Sequence, residues 1–176
     1  MFLYLEKENT STQRIYHRSI AGALGQLKDE RAVDILITIL QKNEDQWLIK
    51  AAITALGQIK GNYAINQLSL LLQSAENDQQ RRNMAHALGT IGDVGCIDVL
   101  TTALLNEQSH IVRSAAALAL GQIGTEDVIS ALSTALQSEQ DKYTSIDIAR
   151  ALGITRHHRA IKPLSHNMIN TRGKDW

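Results

Sequence analysis

Residues 110–124 read HIVRSAAALALGQIG, and this stretch decides the fold. Ile111 and Val112 open an apolar face that Ala115, Ala116, Ala117, Ala119 and Leu120 continue. Alanine is the strongest helix former and lets a neighbouring backbone come close. Gly121 is expected to end the helix, because glycine readily takes the left-handed conformation in which a helix releases its last carbonyls. The stretch recurs in strict register. Leu-Gly pairs stand at Leu24-Gly25, Leu56-Gly57, Leu88-Gly89, Leu120-Gly121 and Leu152-Gly153, each 32 residues from the last with no insertion. Alanine precedes every pair, at Ala23, Ala55, Ala87, Ala119 and Ala151. Four positions before each glycine stand Ala21, Ile53, Ala85, Ala117 and Ala149. Five copies with matching flanks mark a repeat array.

Composition agrees with a helical array. The chain is 44% hydrophobic but only 4% aromatic, so Leu, Ile and Ala supply the apolar mass, which suits helix packing better than a sheet core. Eighteen basic and eighteen acidic residues cancel, which argues against a nucleic-acid or anionic-membrane partner. No apolar run approaches the length of a membrane span, and Phe2-Leu3-Tyr4-Leu5, followed at once by Glu6, is too short for a signal peptide. The lone Cys96 permits no internal disulfide, which fits a cytoplasmic setting. It stands where other repeats carry Ala32, Ala64, Val128 and Ala160, so a buried core thiol is expected ahead of a reactive or pigment-attaching one.

Working outward, an inner helix is expected to end at each glycine, over about 13–24, 46–56, 78–88, 110–120 and 142–152. Outer helices follow at about 31–41, 63–73, 94–105, 126–137 and 159–169. Their apolar face repeats as Val33, Ile65, Ile97, Ile129 and Ile161; Leu36, Leu68, Leu100, Leu132 and Leu164; and Leu40, Leu72, Leu104, Leu136 and Met168. Spacings of three, four and seven set these on one side of a helix. Leu27, Ile59, Ile91 and Ile123 read as bridges in the loop after each inner helix, with Thr155 breaking the series. Gly61, Gly92 and Gly124 relieve that turn, while Asp29, Asp93, Asp45, Asp78 and Asp141 read as helix caps. Residues 1–12 form an N-terminal cap or partial repeat with a turn over Asn9–Thr12, residues 13–169 the repeats, and 170–176 a tail, all within one domain. A helix pair this short cannot bury its own apolar face, so successive pairs must stack.

Val112-Arg113 followed by Ala116-Ala117, Ala119-Leu120-Gly121 and Ile123-Gly124 resembles the HEAT-like repeat of the phycobilin lyases, a repeat shared by bacterial scaffold and signalling proteins. The resemblance covers about residues 13–169 and implies an all-α fold, a right-handed α-solenoid of five HEAT-like helix pairs with a 32-residue period. It also implies that the Ala-Leu-Gly helices line a concave binding side. Isomerising lyases resemble one another in an Asn-His-Cys-rich motif; the nearest stretch here, Arg82-Asn83-Met84-Ala85-His86, lacks the cysteine.

Inner-helix positions ten, seven, six and three before the glycine do not keep their chemistry and so need not pack. They nominate a protein-binding face of Arg18, Trp47, Lys50, Gln79, Arg82, Asn83, His86, Leu118, Tyr143, Asp147 and Arg150. Trp47 and Tyr143 are large anchors, and Arg18, Lys50 and Arg82 on successive layers suit a carboxylate. No catalytic, cofactor-binding or metal-ligating set stands out: the glycines punctuate helices rather than cradle phosphate, and His157, His158 and His166 match no zinc spacing. Residues 156–159, Arg-His-His-Arg, form a small basic loop. The expected function is a non-catalytic scaffold holding another protein in the concave groove. The alternative is a subunit of a phycobilin lyase or a bilin-protein chaperone, with bilin propionates on Arg18, Lys50 and Arg82. Leu164, Met168 and Ile169 leave the last repeat apolar, where a second HEAT-repeat subunit is a further expected partner.

Overall fold

The computed structural model describes the backbone of residues 2–42 and 45–170 and the side chains of 11–42 and 45–169. The tail over 171–176 lies outside the described residues. Ten α-helices alternate between two layers, and no strand occurs among the described residues. The inner layer holds α1 (Phe2–Leu27), α3 (Gln46–Ile59), α5 (Asp78–Ile91), α7 (His110–Ile123) and α9 (Lys142–Ile154). The outer layer holds α2 (Val33–Lys42), α4 (Asn62–Ser74), α6 (Ile97–Asn106), α8 (Asp127–Ser138) and α10 (Ile161–Asn170). Each inner helix packs on the next inner helix, and each outer helix packs on the inner helix that follows it. The core is the continuous seam between the layers. Leu36, Leu68, Leu100 and Leu132 are wholly buried in it, as are Leu56, Leu88, Leu120 and Leu152.

The repeated glycines do not end their helices. Each inner helix continues past its glycine, to Leu27, Ile59, Ile91, Ile123 and Ile154, so the residues expected to bridge the loop belong to the last helical turn. Release of the chain falls one or two residues later, to Lys28, Lys60, Gly92, Gly124 and Arg156, all with positive φ. Gly61 is extended at φ −88° and only precedes α4.

The glycines serve close approach instead. A Cβ on Gly25 would stand 2.6 Å from Ala55 Cα, on Gly89 2.7 Å from Ala119 Cα, and on Gly121 2.8 Å from Ala151 Cα. Gln58 and Gln122 close over Gly25 and Gly89 from the same neighbouring helices. Glycine on one helix and alanine on the next therefore form a lock that sets the spacing of the inner layer. Gly153 is in the same register, but no described residue comes within 4 Å of where its Cβ would stand.

Two further expectations change. Residues 9–12 are helical, within the single 26-residue α1; no glycine or proline interrupts residues 2–21. Asn77, not Asp78, caps α5, accepting from the backbone N–H groups of Gln79 and Gln80, while Asp78 pairs with Arg81. Asp29, Asp45, Asp93 and Asp141 do cap their helices or 3-10 turns.

Polar ties join repeats along the layer edge. The Arg81 guanidinium donates to the carbonyls of Ala75 and Glu76 and to the Glu107 carboxylate of the next repeat. Arg113 repeats the arrangement 32 residues on, donating to the carbonyls of Glu107 and Gln108 and pairing with Glu139 at 2.7 Å and 2.8 Å. The orphan carbonyls at an outer helix's end are thus satisfied by an arginine that also reaches the next layer. Burial raises the pKa of Glu139, but hydrogen bonds from Arg113 and from the backbone of Asp141 and Gln140 outweigh it and hold the carboxyl below its usual 4.5.

Gly89→Ala is expected to destabilise the chain by about 1–3 kcal/mol, the usual cost of overpacking. Gly153→Ala, with room for its methyl, should instead add about 0.4–1 kcal/mol by restricting the unfolded chain. Urea midpoints of the two variants read the contrast. Arg113→Met should cost about 1–3 kcal/mol at neutral pH. Because the folded Glu139 value is depressed, its contribution is present above pH 4.5 and lost as pH falls through the folded value. The variant should therefore lose stability less steeply than the parent in acid urea melts.

Candidate functional site: a trough between two inner helices

The inner layer has one irregular junction. Row minus four holds Ala21, Ala85, Ala117 and Ala149, but Ile53 on α3. Opposite Gly57 the nearest atoms belong to Thr90, its methyl at 2.6 Å, rather than to an alanine and glutamine. The bulk of Ile53 and the displaced lock leave α3 and α5 in looser contact than the neighbouring α1–α3 and α5–α7 junctions. Between them opens a trough of about 470 Å³, lined by Gln46, Trp47, Ile49, Lys50, Ile53, Arg82, Asn83, His86 and Thr90. A second furrow of about 350 Å³ runs along the other flank of α3, from Gly22 past Trp47 and Lys50 to Gln58. Trp47 and Lys50 form the ridge shared by both.

Capping places the ridge. Asp45 accepts from Trp47 N at 2.9 Å and Leu48 N at 3.4 Å, which fixes the first turn of α3. Trp47 is 65% exposed, and the Arg18 guanidinium lies 5.9 Å from its ring centre. Among the described residues, no aspartate or glutamate lines either furrow. The cations are held by neutral groups: Arg18 donates to the Arg14 carbonyl, and Arg82 to Gln79 Oε1 at 3.4 Å. That is a locally positive, partly apolar hollow in a chain of zero net charge.

His86 sits in this field. Its pKa is lowered, first by burial and then by the charge of Arg82, against a smaller upward pull from Asp147. Neutral imidazole therefore predominates to lower pH than for a free side chain.

The structure divides the sequence-nominated residues. Trp47, Lys50, Arg82, Asn83 and His86 line the trough, Arg18 covers Trp47 from α1, and Gln79 ties Arg82 to Asn83. Asn83 corrects the expectation that this stripe is free to vary. It is 4% exposed and donates to the Leu40 carbonyl at 3.3 Å, so it closes the end of α2 from the trough floor. Ala115 in the same row is buried too. Leu118 is half-buried on α7, and Tyr143 stands 71% exposed on α9. Asp147 accepts from Ser114 Oγ at 2.5 Å and pairs with Arg150 at 2.6 Å, making a separate polar cluster on the α7–α9 side. Sequence reasoning missed Gln46, Ile49, Ile53 and Thr90. The available signal was Ile53, the one large side chain in a row of alanines.

Other candidates are absorbed by structure. Cys96 is wholly buried, and burial together with the charge of Asp93 pushes its thiol up to about 11. His157 stands where Asp29 and Asp93 stand, and its Nδ1 accepts from Arg159 N at 3.2 Å; Arg159 and His157 both reach Glu126. The basic loop is thus a histidine cap with a carboxylate neighbour. No group of three His, Cys, Asp or Glu among the described residues is placed to hold a metal ion. No described helix is long and apolar enough to cross a membrane.

Comparison with known proteins agrees with the architecture. A family model described as HEAT repeats matches residues 5–79 and 65–153. No curated protein matches the sequence. Among solved structures, human deoxyhypusine hydroxylase in complex with glycerol superimposes with a TM-score of 0.53 at 17% identity, over 92% of this chain and 74% of that one. At that identity the likeness shows the fold alone.

An NMR titration of His86 should give a midpoint below 6.5. Arg82→Gln should raise the midpoint without restoring it fully, because burial is the larger cause, and Asp147→Asn should lower it further.

Proposed function

The chain belongs to the HEAT-repeat family, and from that premise we propose that it is a non-catalytic binding scaffold whose inner-helix trough holds an extended segment of another protein. The observation that carries the reading is the hollow around Trp47, lined among the described residues by Lys50, Arg82, Ile49 and Ile53 and by no acid. An exposed tryptophan beside Lys50 and Arg82 over an apolar lining matches a segment that alternates carboxylate and apolar side chains. Arg18 presents the indole as a flat, rigid contact, which lowers the entropy lost on binding. Furrows on both flanks of α3 favour a ligand that crosses the ridge over one that is enclosed.

The test uses a fluorescent peptide of alternating Glu and Leu, with its Lys and Leu counterpart as control, read by anisotropy. The acidic peptide should bind in a salt-dependent manner and the basic one should not. Trp47→Ala and Arg82→Glu should each weaken binding about 10-fold or more, with helicity by circular dichroism unchanged. Equal binding of both peptides, or no loss in either variant, would sink the proposal. Phycocyanobilin is the second probe. A visible absorbance change abolished by Lys50→Glu and Arg82→Glu would move the assignment to the lyase or bilin-chaperone alternative, in which these cations hold propionates.

A further inference from the structure

The two furrows that flank α3 are neighbours in a repeating layer, and their separation is a ruler for whatever crosses them. One lies between α1 and α3, the other between α3 and α5, with Trp47 and Lys50 on the ridge that both share. Successive grooves between packed helices stand one helix spacing apart, about 8–10 Å. Gly22, Ala51 and Ala55 line the first furrow, Ile49 and Ile53 the second, so each can take an apolar side chain. A Cβ at Gly22 would meet nothing within 4 Å, so the first furrow is open where a side chain would fill it.

A segment whose side chains enter both furrows must return to the same face once per helix spacing. A β-strand returns every two residues, after about 6.7 Å, and falls short of the second furrow. An α-helix returns after about 5.4 Å or, over two turns, about 10.8 Å, the first too short and the second too long. Polyproline II has three residues per turn and a rise of about 3.1 Å, so its face repeats every 9.3 Å or so. That is the conformer in step with the furrows. The two residues between its furrow contacts then lie over the ridge, where they meet the exposed Trp47 indole and the Lys50 ammonium. Proline suits the indole, since aromatic-lined grooves are how polyproline II is commonly recognised. A carboxylate suits the charge: Arg18, Lys50 and Arg82 lie on three successive inner helices, and among the described residues no acid lines either furrow.

We propose that the segment held here is a polyproline II stretch in which an apolar residue, an acidic residue and a proline recur in threes. Its apolar residues, three apart, enter the furrows on either side of α3, and the proline and carboxylate cross the ridge. This rests on the trough being a site for a protein segment, and it adds the conformation and the period of that segment. The conformer is preset by proline and has no internal hydrogen bonds to rearrange, so little order is lost on docking.

Two fluorescent peptides on the full chain test this by anisotropy. One is Leu-Glu-Pro repeated four times; the other holds the same residues reordered so that the leucines fall two apart. Length, charge and composition are equal, so only the period differs. The repeat should bind about 10-fold or more tightly. Gly22→Leu fills the α1–α3 furrow at a helical position with room for the side chain, and leucine is the better helix former; circular dichroism checks that the variant folds. It should abolish the preference, bringing the repeat down to the level of the reordered peptide. Equal binding of the two peptides by the parent chain, or a Gly22→Leu variant that keeps the preference, overturns the proposal and leaves the trough as a binding site. Tighter binding of the reordered peptide would reveal a strand and overturns it as well. If neither these nor the alternating Glu and Leu peptide binds, the trough is no segment site and both readings fall together.

Discussion

The architecture depends on one short contact, a glycine on an inner helix facing an alanine on the next, made by Gly25, Gly89 and Gly121. Packing of this closeness leaves no room for a methyl group at Gly25, Gly89 or Gly121. It fixes the distance between inner helices, and the bulkier leucines and isoleucines of the outer helices fill the layer behind. Small residues face the neighbouring inner helix and large ones fill the seam between the layers. The arginine ties of Arg81 and Arg113 add direction: each joins the end of one outer helix to the carboxylate of the next repeat. Apolar packing sets the spacing, and the buried charges hold the register.

That constraint explains why the candidate site lies where it does. A lock repeated without change would seal the inner layer into a smooth surface. At the α3–α5 junction Ile53 replaces an alanine and Thr90 replaces a glutamine, and the helices stand apart over the trough. The departures that open the hollow also furnish it, since Ile53 and Thr90 both line it. Trp47 and Lys50 project beside it because Asp45 fixes the first turn of α3.

The period, the ten helices and most of the outer face were legible in the sequence because each depends on local apolar spacing. The purpose of the glycines was not. A glycine two residues before a helix end and one at the end look alike in a single chain; only the neighbouring Ala55, Ala119 or Ala151 tells them apart. Asn83 was misjudged for a related reason. Its row varies in chemistry, which suggested freedom, yet it lies against the Leu40 carbonyl of an outer helix 43 positions earlier. Variation at a position can mean that each repeat solves a different burial problem. The trough itself was half legible: its cations and tryptophan were found as a stripe, but its floor required knowing where two helices separate.

The stripe is also polar along its length, and this bears on how a bound segment would lie. Arg18, Lys50 and Arg82 occupy three successive inner helices, and the α9 end of the same face carries Asp147. The reach of this gradient is visible at His86, which responds to Arg82 in one sense and to Asp147 in the other. Asp147 is partly committed to Ser114 and Arg150, so it attracts less than an isolated carboxylate. Arg18 and Arg82 are held instead by neutral acceptors. A segment laid across the layer therefore gains most at its acidic part over α3 and α5 and loses least if its neutral or basic part lies over α9. Reversing it sets its basic part against Arg18, Lys50 and Arg82. For a segment bound as proposed, direction would follow from the order of these side chains along the repeat, with no pocket needed to enforce it.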